Sequence, residues 1–151
     1  MTARHQAHVR AAGFLGRALS FELSAVQQYM AHAALCEAWN LTDEGRHWRE
    51  EAAGETKHAE RIIQRMVKLG VVPSASQLRP VKVGGSLGEL IAHNVRLEQD
   101  IVSLYSDATV TCLRGGDSDN AGFFQKLLDE EQEHARELQA WYESSTGWSS
   151  T

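Results

Sequence analysis

Apolar residues recur at spacings of three and four along four separate stretches of the chain, which is the pattern of α-helices with one buried face. In the first stretch these positions run from Leu15 to Cys36, and the helix is predicted to end near Trp39, with Asn40 as its stop. The one stretch that favours a β-strand, residues 71–83, is interrupted by two prolines. The pattern therefore predicts an all-α protein.

Capping signals mark the ends of the middle two helices. The second helix is predicted over residues 42–69, with Thr42 as its N-cap and Gly70 as the residue that ends it. The third is predicted to begin with Ser86-Leu-Gly-Glu89, a capping box in which each side chain accepts a hydrogen bond from the other residue's backbone N–H.

A glycine pair at positions 115–116 separates the third helix from the fourth, which is predicted to start near Asp117 or Ser118. The apolar stripe of the fourth helix reaches Trp141, and a polar tail follows over residues 144–151. We therefore do not expect a fifth helix. The sequence predicts a single domain, residues 1–151, with its helices over about residues 10–143.

The lengths of the connections predict the topology. The first two helices and the last two are joined by a few residues each, which is typical of antiparallel hairpins. The middle connection, residues 70–85, has 16 residues. Fully extended it would reach about 50 Å, which exceeds the length of ~38 Å for a helix of about 25 residues. We therefore expect a four-helix bundle in which a long crossover places the third helix parallel to the second.

Acidic and imidazole side chains occupy positions in every helical stripe where core residues are expected. Moving an ionised carboxylate from water into an apolar interior is costly, and neighbouring carboxylates also repel one another. Bound cations would offset both effects. The residues concerned are Glu22, Glu55, His58, Glu98, Glu131 and His134.

Four of these residues form two pairs with the spacing Glu-x-x-His, which places both side chains on one helix face within reach of one metal ion. Two such pairs and two single glutamates make up the ligand set of a di-iron or di-manganese carboxylate bundle. Four carboxylates balance two divalent ions, and mixed oxygen and nitrogen donors favour iron or manganese over calcium.

An internal repeat distinguishes these pairs from a chance match. A shift of 76 positions superimposes Glu22 on Glu98, Glu55 on Glu131, His58 on His134, Tyr29 on Tyr105, and Cys36 on Cys112. A third Glu-x-x-His pair, Glu44 and His47, has no counterpart and is interpreted as solvated helix surface. His32 has no ligand spacing to a partner and is predicted at the surface or an interface.

Tyr29 and Tyr105 follow the single glutamates by two helical turns. We expect each phenol to hydrogen-bond a ligand carboxylate, behind the metal ligands. The alternative is that the tyrosines donate single electrons to the site.

Composition and charge exclude several classes of function. The chain has 15 Lys and Arg against 20 Asp and Glu, a net charge of −5, and its scattered basic residues do not form a nucleic-acid surface. The first residues lack the apolar core of a secretion signal, and no apolar run approaches the ~18 residues of a membrane span. A cytoplasmic protein with no membrane partner is expected. Cys36 and Cys112 are expected to be buried free thiols.

The residues around these motifs resemble the bacterioferritins of the ferritin-like superfamily. The likeness covers roughly residues 10–142 and includes the segments Phe21-Glu-Leu-Ser-Ala-Val-Gln-Gln-Tyr29, Glu55-Thr-Lys-His58 and Asp129-Glu-Glu-Gln-Glu-His134. It implies two non-haem irons per chain, with these ligands: Glu22, Glu55 and His58 for one, Glu98, Glu131 and His134 for the other, Glu55 and Glu131 bridging. It also implies a ferroxidase that oxidises Fe(II) with dioxygen or hydrogen peroxide and stores ferric mineral in a homo-oligomeric shell of two-fold dimers.

Three features depart from the family's pattern. Thr56 stands where bacterioferritins have a haem-ligating methionine, so haem is expected to be absent or weakly held, with Met30 as a weak candidate ligand. Glu50 and Gly54 replace the family's core-facing His and Asp, and the family's fifth helix is not expected. The expected dimer face is a stripe on the outer side of the first helix: Leu23, Val26, Gln27 and Met30.

Two other functions are compatible with the sequence. One is a di-metal redox enzyme that stores no mineral, such as a rubrerythrin-like peroxidase or an oxidase, although two cysteines cannot supply a four-cysteine iron domain. The other is a structural subunit of a mixed bacterioferritin-type assembly, in which metal ligands would be lost. All six candidate ligands are present.

Overall fold

The computed structural model describes residues 2–74 and 77–146, which contain four α-helices and no β-strand. The helices are α1, Ala3–Ala38; α2, Thr42–Lys68; α3, Leu87–Arg114; and α4, Ser118–Thr146. The all-α prediction is confirmed. Within these described ranges, no helix combines the length and the apolar character that a membrane span requires.

The helices pack as two hairpins that face each other. α1 packs mainly on α2, and α3 mainly on α4. Two hydrogen bonds between the hairpins join Tyr29 to Glu98 and Tyr105 to Glu22. Residue numbers rise along α1 as they fall along α3, so these helices are antiparallel and α3 is parallel to α2. The predicted bundle with a long crossover is confirmed.

The crossover between α2 and α3 is fastened to α1 by three hydrogen bonds. The Arg79 N–H donates to Ser24 Oγ at 2.8 Å, and the Lys82 N–H donates to Gln28 Oε1 at 3.1 Å. His32 Nε2 lies 2.6 Å from the Lys82 carbonyl oxygen. These contacts advance along α1 as the crossover advances. His32 is fully buried, so its prediction as a surface residue is wrong, because the crossover covers this face of α1.

The first hairpin differs from the prediction at two helix ends. α1 begins at Ala3, where the Thr2 side chain accepts the His5 N–H at 3.2 Å, rather than near residue 10. Asn40 ends the helix as expected, with a φ of 61°. Thr42 is the first residue of α2 and not its N-cap, which is Leu41 without a side-chain hydrogen bond. The left-handed Asn40 turns the chain so tightly that α2 starts one residue early.

The capping box of α3 is formed on one side only. Ser86 Oγ accepts the Glu89 N–H at 3.3 Å, but Glu89 Oε2 accepts the Gly85 N–H at 2.7 Å instead of that of Ser86. Gly84 lies against the Glu89 side chain, where an added Cβ would come within 2.7 Å of the Glu89 Cβ. The glycines before Ser86 therefore let the carboxylate reach one residue further back.

The second hairpin turns at Gly116, whose φ of 73° suits a residue without a side chain. Asp117 Oδ1 accepts the Asn120 N–H at 3.2 Å as α4 begins. α4 then continues to Thr146, beyond the predicted end at residue 143. The rest of the predicted tail, residues 147–151, lies outside the described residues, as does the question of a fifth helix.

A single apolar core fills the space between the hairpins. Burying a large apolar side chain completely stabilises the fold by about 1.5–3 kcal/mol. Cys36 and Cys112 are buried free thiols. The largest fully buried side chains are Trp48, Tyr29, Tyr105, Phe124, Leu15, Leu19, Ile62, Met66, Leu90, Ile91, Ile101 and Leu127.

Candidate metal centre

The six predicted ligands converge in the middle of the bundle, with at least one from each helix. The side chains of the four glutamates are at most 3% exposed, and those of the two histidines are 13% and 12% exposed. Helical spacing explains the convergence, because residues three apart on α2 and on α4 share one face. The carboxylates are Glu22, Glu55, Glu98 and Glu131, and the imidazoles are His58 and His134.

These side chains form two groups that could each hold a metal ion. In each group, one ligand atom from every residue lies within 4.8 Å of the others. The groups share two carboxylates, one from α2 and one from α4. The first consists of Glu22, Glu55, His58 and Glu131, and the second of Glu55, Glu98, Glu131 and His134.

His58 faces three carboxylates through Nδ1. Its distances are 2.7 Å to Glu131 Oε1, 3.6 Å to Glu22 Oε1 and 3.6 Å to Glu55 Oε2. Burial disfavours the charged ring, but the hydrogen bonds to the carboxylates outweigh it and raise the pKa of His58 to about 12. In the metal-free protein, protonated His58 therefore supplies positive charge next to the three buried carboxylates.

His134 has the equivalent place in the second group. Its Nδ1 lies 3.1 Å from Glu98 Oε1, 3.4 Å from Glu55 Oε1 and 3.6 Å from Glu131 Oε2. Burial again works against protonation, and the surrounding carboxylates raise the pKa of His134 far above its ordinary range. The other ring nitrogen, Nε2, contacts Glu51 Oε2.

The carboxylates are in an environment that disfavours so much negative charge. Burial, and then repulsion from Glu55 and Glu131, raise the pKa of Glu22 and of Glu98 well above the ordinary value. Glu131 differs, because hydrogen bonds from Glu98 and both imidazoles overcome the effect of burial and hold its pKa well below the ordinary value.

Four buried carboxylate oxygens have no hydrogen-bond partner, namely Oε2 of Glu22, Glu55, Glu98 and Glu131. A buried acceptor is expected to have a partner, and leaving one unpaired is destabilising. Two divalent ions would coordinate these oxygens and neutralise the four charges. The oxygen-rich donor set with two imidazoles fits iron or manganese.

The two tyrosines lie directly behind the single glutamates. Tyr29 Oη donates to Glu98 Oε1 at 2.6 Å, and Tyr105 Oη donates to Glu22 Oε1 at 2.6 Å. Burial, and then the nearby carboxylates, raise the pKa of both phenols well above 10, which keeps them protonated donors. Each bond joins the two hairpins across the bundle.

The sequence interpretation missed Glu51, one turn before Glu55 on α2. Its signal was the spacing of four residues to Glu55, but the shift of 76 positions pairs Glu51 with Leu127 and so passes over it. The interpretation of His47 as solvated surface describes only part of this side chain, which is 39% exposed. The ring also packs edge-on against Trp48 and Trp141, with centroids 5.4 Å and 4.7 Å apart, because α4 extends alongside this part of α2.

Comparisons with known proteins agree with this architecture. The Ferritin-like domain family matches residues 13–145. The chain is 34% identical over 121 residues to a bacterioferritin of Rhodobacter capsulatus, covering 80% of this chain and 75% of the relative. It is 30% identical over 120 residues to a bacterioferritin of Brucella melitensis, covering 80% and 74%.

A solved structure of Rhodobacter capsulatus bacterioferritin superposes with a TM-score of 0.84 at 32% sequence identity, covering 87% of this chain and 82% of that one. That protein is described with a metal-free dinuclear site and a heme iron in a crystallographic special position. With the four-helix fold and the paired carboxylate and imidazole groups, these matches show that the chain belongs to the bacterioferritin family of the ferritin-like proteins.

Proposed function

We propose that this chain oxidises Fe(II) at the buried centre and stores the ferric product inside an oligomer, with two irons per chain held by the six convergent residues. Ferroxidase activity and iron storage are the function of the bacterioferritin family. The observation that carries the residue assignment is the presence of two four-residue groups that share Glu55 and Glu131.

The charges of the ligands suit Fe(II) as the substrate. Four carboxylates attract two divalent ions, and the imidazolium rings of His58 and His134 release their protons as the ions bind. The bound iron pair supplies the electrons that reduce dioxygen or hydrogen peroxide. The hydrogen bonds from Tyr29 and Tyr105 hold Glu98 and Glu22 in place during this change of charge.

Substitution of a shared carboxylate tests the centre. Glu131→Ala should abolish rapid Fe(II) oxidation, because this carboxylate belongs to both groups. The measurement is the increase of ferric absorbance after aerobic addition of Fe(II) to metal-free protein. Glu60→Ala, on the exposed surface of α2, is the matched control and should react at the wild-type rate. Wild-type kinetics in Glu131→Ala would contradict the proposed centre.

The same titration distinguishes storage from simple redox catalysis. Continued uptake of many irons per assembly, with a growing electron-dense core, supports storage. A break near two irons per chain without further uptake would favour the rubrerythrin-like or oxidase alternative. A cytoplasmic location stays a prediction from the sequence.

We also propose that the oligomer is built from two-fold dimers that bury the outer face of α1. This face carries Val26 and the half-exposed Met30, which is 53% exposed in the single chain. A second subunit packed on this face would bury the flexible apolar side chain of Met30.

A further inference from the structure

The two halves of the metal centre have the same kinds of ligand, but they differ in the residue that supports the metal-binding imidazole. The shift of 76 positions superimposes His58 on His134, yet it pairs Glu51 with Leu127. Glu51 Oε2 contacts His134 Nε2 on the side of the ring away from the ligand carboxylates. Leu127, at the equivalent position in the other half, is fully buried and cannot accept a hydrogen bond.

Glu51 is itself held in place. Its Oε1 lies 3.4 Å from His47 Nε2, one helical turn earlier, and its side chain is only 16% exposed. The His47 ring is fixed by the edge-on contacts with Trp48 and Trp141 described above. One oxygen of the Glu51 carboxylate thus faces His47 and the other contacts His134. The packing of His47 against the two tryptophans restrains the position of Glu51. The shift of 76 positions pairs His47 with Phe123, so this support also belongs to one half only.

We propose that Glu51 is a positioning residue that makes the two iron positions unequal, so that the position with His134 binds its metal ion more tightly than the position with His58. This inference rests on the proposed ligands. A carboxylate that accepts the second N–H of a metal-binding imidazole fixes the ring and makes it a better donor, and losing such a partner typically costs about 10-fold to 100-fold in affinity. With Nε2 in contact with Glu51, Nδ1 of His134 lies toward Glu55, Glu98 and Glu131.

Anaerobic titration of the metal-free full-length protein with Co(II) tests this proposal, with calorimetry and the visible absorption of bound Co(II) as readouts. The wild type should show two classes of site of different affinity. Glu51→Leu copies the apolar residue of the other half, so it should weaken the tighter class by about 10-fold to 100-fold and bring the two affinities together. The weaker class should be unchanged.

Two further variants make the test specific. His47→Gln removes only the support of Glu51, and it should weaken the same class by a smaller factor. Glu60→Gln removes one charge from the exposed surface of α2 and should titrate like the wild type. Thermal unfolding and light scattering of each metal-free variant check that the fold and assembly are retained.

The possible results separate this inference from the proposed function. Two equal sites in the wild type, or unchanged affinities in Glu51→Leu, would overturn the role of Glu51 while leaving the ligands in place. Equal weakening of both sites in Glu51→Leu would also overturn it, because the effect would then be general. Failure of the wild type to bind Co(II) at all would overturn the ligand assignment itself.

Discussion

At the scale of single residues, the centre combines buried charge with hydrogen bonds that restrain it. Glu22 and Glu98 are fully buried, and each accepts a short bond from a tyrosine on the opposite hairpin. The repeat places the two tyrosines at equivalent positions, so both should have the same role.

Tyr29→Phe tests that role. Removing the phenol leaves the buried Glu98 without one of its donors, and leaving a buried polar group unpaired costs about 1–3 kcal/mol. We expect the free energy of unfolding of the metal-free protein, measured in urea, to fall by about this amount. Tyr105→Phe should behave alike. Normal stability together with slower Fe(II) oxidation would instead favour electron donation by the tyrosine.

Thr56 decides the expectation for haem. Its hydroxyl donates to the Ala52 carbonyl oxygen at 2.9 Å, within its own helix, and a hydroxyl is a poor ligand for haem iron. Purified wild-type protein expressed with haem available should therefore lack a strong Soret band. Thr56→Met restores a sulfur ligand and should increase that absorbance. Stoichiometric haem in the wild type, at one per dimer, would show that another side chain binds the iron.

At the scale of elements, the crossover depends on a closed network of buried polar groups. Gln28 Nε2 donates to Asn94 Oδ1 at 2.8 Å, and Asn94 Nδ2 donates to His32 Nδ1 at 2.8 Å. With Nδ1 acting as an acceptor, Nε2 carries the proton and donates to the Lys82 carbonyl oxygen. Gln28 Oε1 accepts the Lys82 N–H, which closes the network. This arrangement requires a neutral imidazole.

The network predicts a loss of stability in acid. Burial, helped by repulsion from His93, lowers the pKa of His32 below the ordinary value of about 6.5. The unfolded chain therefore binds the proton more readily than the folded chain. The contribution of His32 to stability is complete above pH ~6.5 and is lost as the pH falls from there through the lowered pKa.

Urea unfolding of the metal-free protein at pH 7.5 and pH 5 measures this effect. Because carboxylates also titrate, the comparison is between the wild type and His32→Gln, which has no titratable ring. The wild type should lose more stability between the two pH values than the variant. Equal losses in both proteins would show that His32 does not contribute to the pH dependence.

At the scale of the whole molecule, the metal face and the outer face of α1 have different purposes. The metal face is closed within one chain, whereas Met30 is 53% exposed on the outer face. Met30→Asp should leave the single chain folded and shift the particle to a smaller size in light scattering, because it places a charge in the expected dimer interface. Met30→Leu should assemble like the wild type. A monomeric wild type would contradict the dimer proposal.

Much of the fold and of the site could be predicted from the sequence, because those features depend on local periodicity. A helix turns every 3.6 residues, so a stripe of apolar positions identifies each helix and its buried face. Glutamates within those stripes indicate bound cations, because cations offset the cost of burying carboxylates. The repeat selects the pairs Glu55/His58 and Glu131/His134. These arguments use spacing along the chain and the cost of buried charge, and neither requires coordinates.

Only the tertiary structure decided the contacts that join separate elements. His32 is buried because the crossover lies across α1, Glu51 contacts His134 on another helix, and the His47 ring packs against Trp141. Spacing along one helix cannot predict such contacts, since they depend on the rotation and height of one element against the next. The sequence therefore determined the apolar face of each helix, because that face follows from helical spacing. The packing of the elements decided which further side chains are buried and which side chains meet.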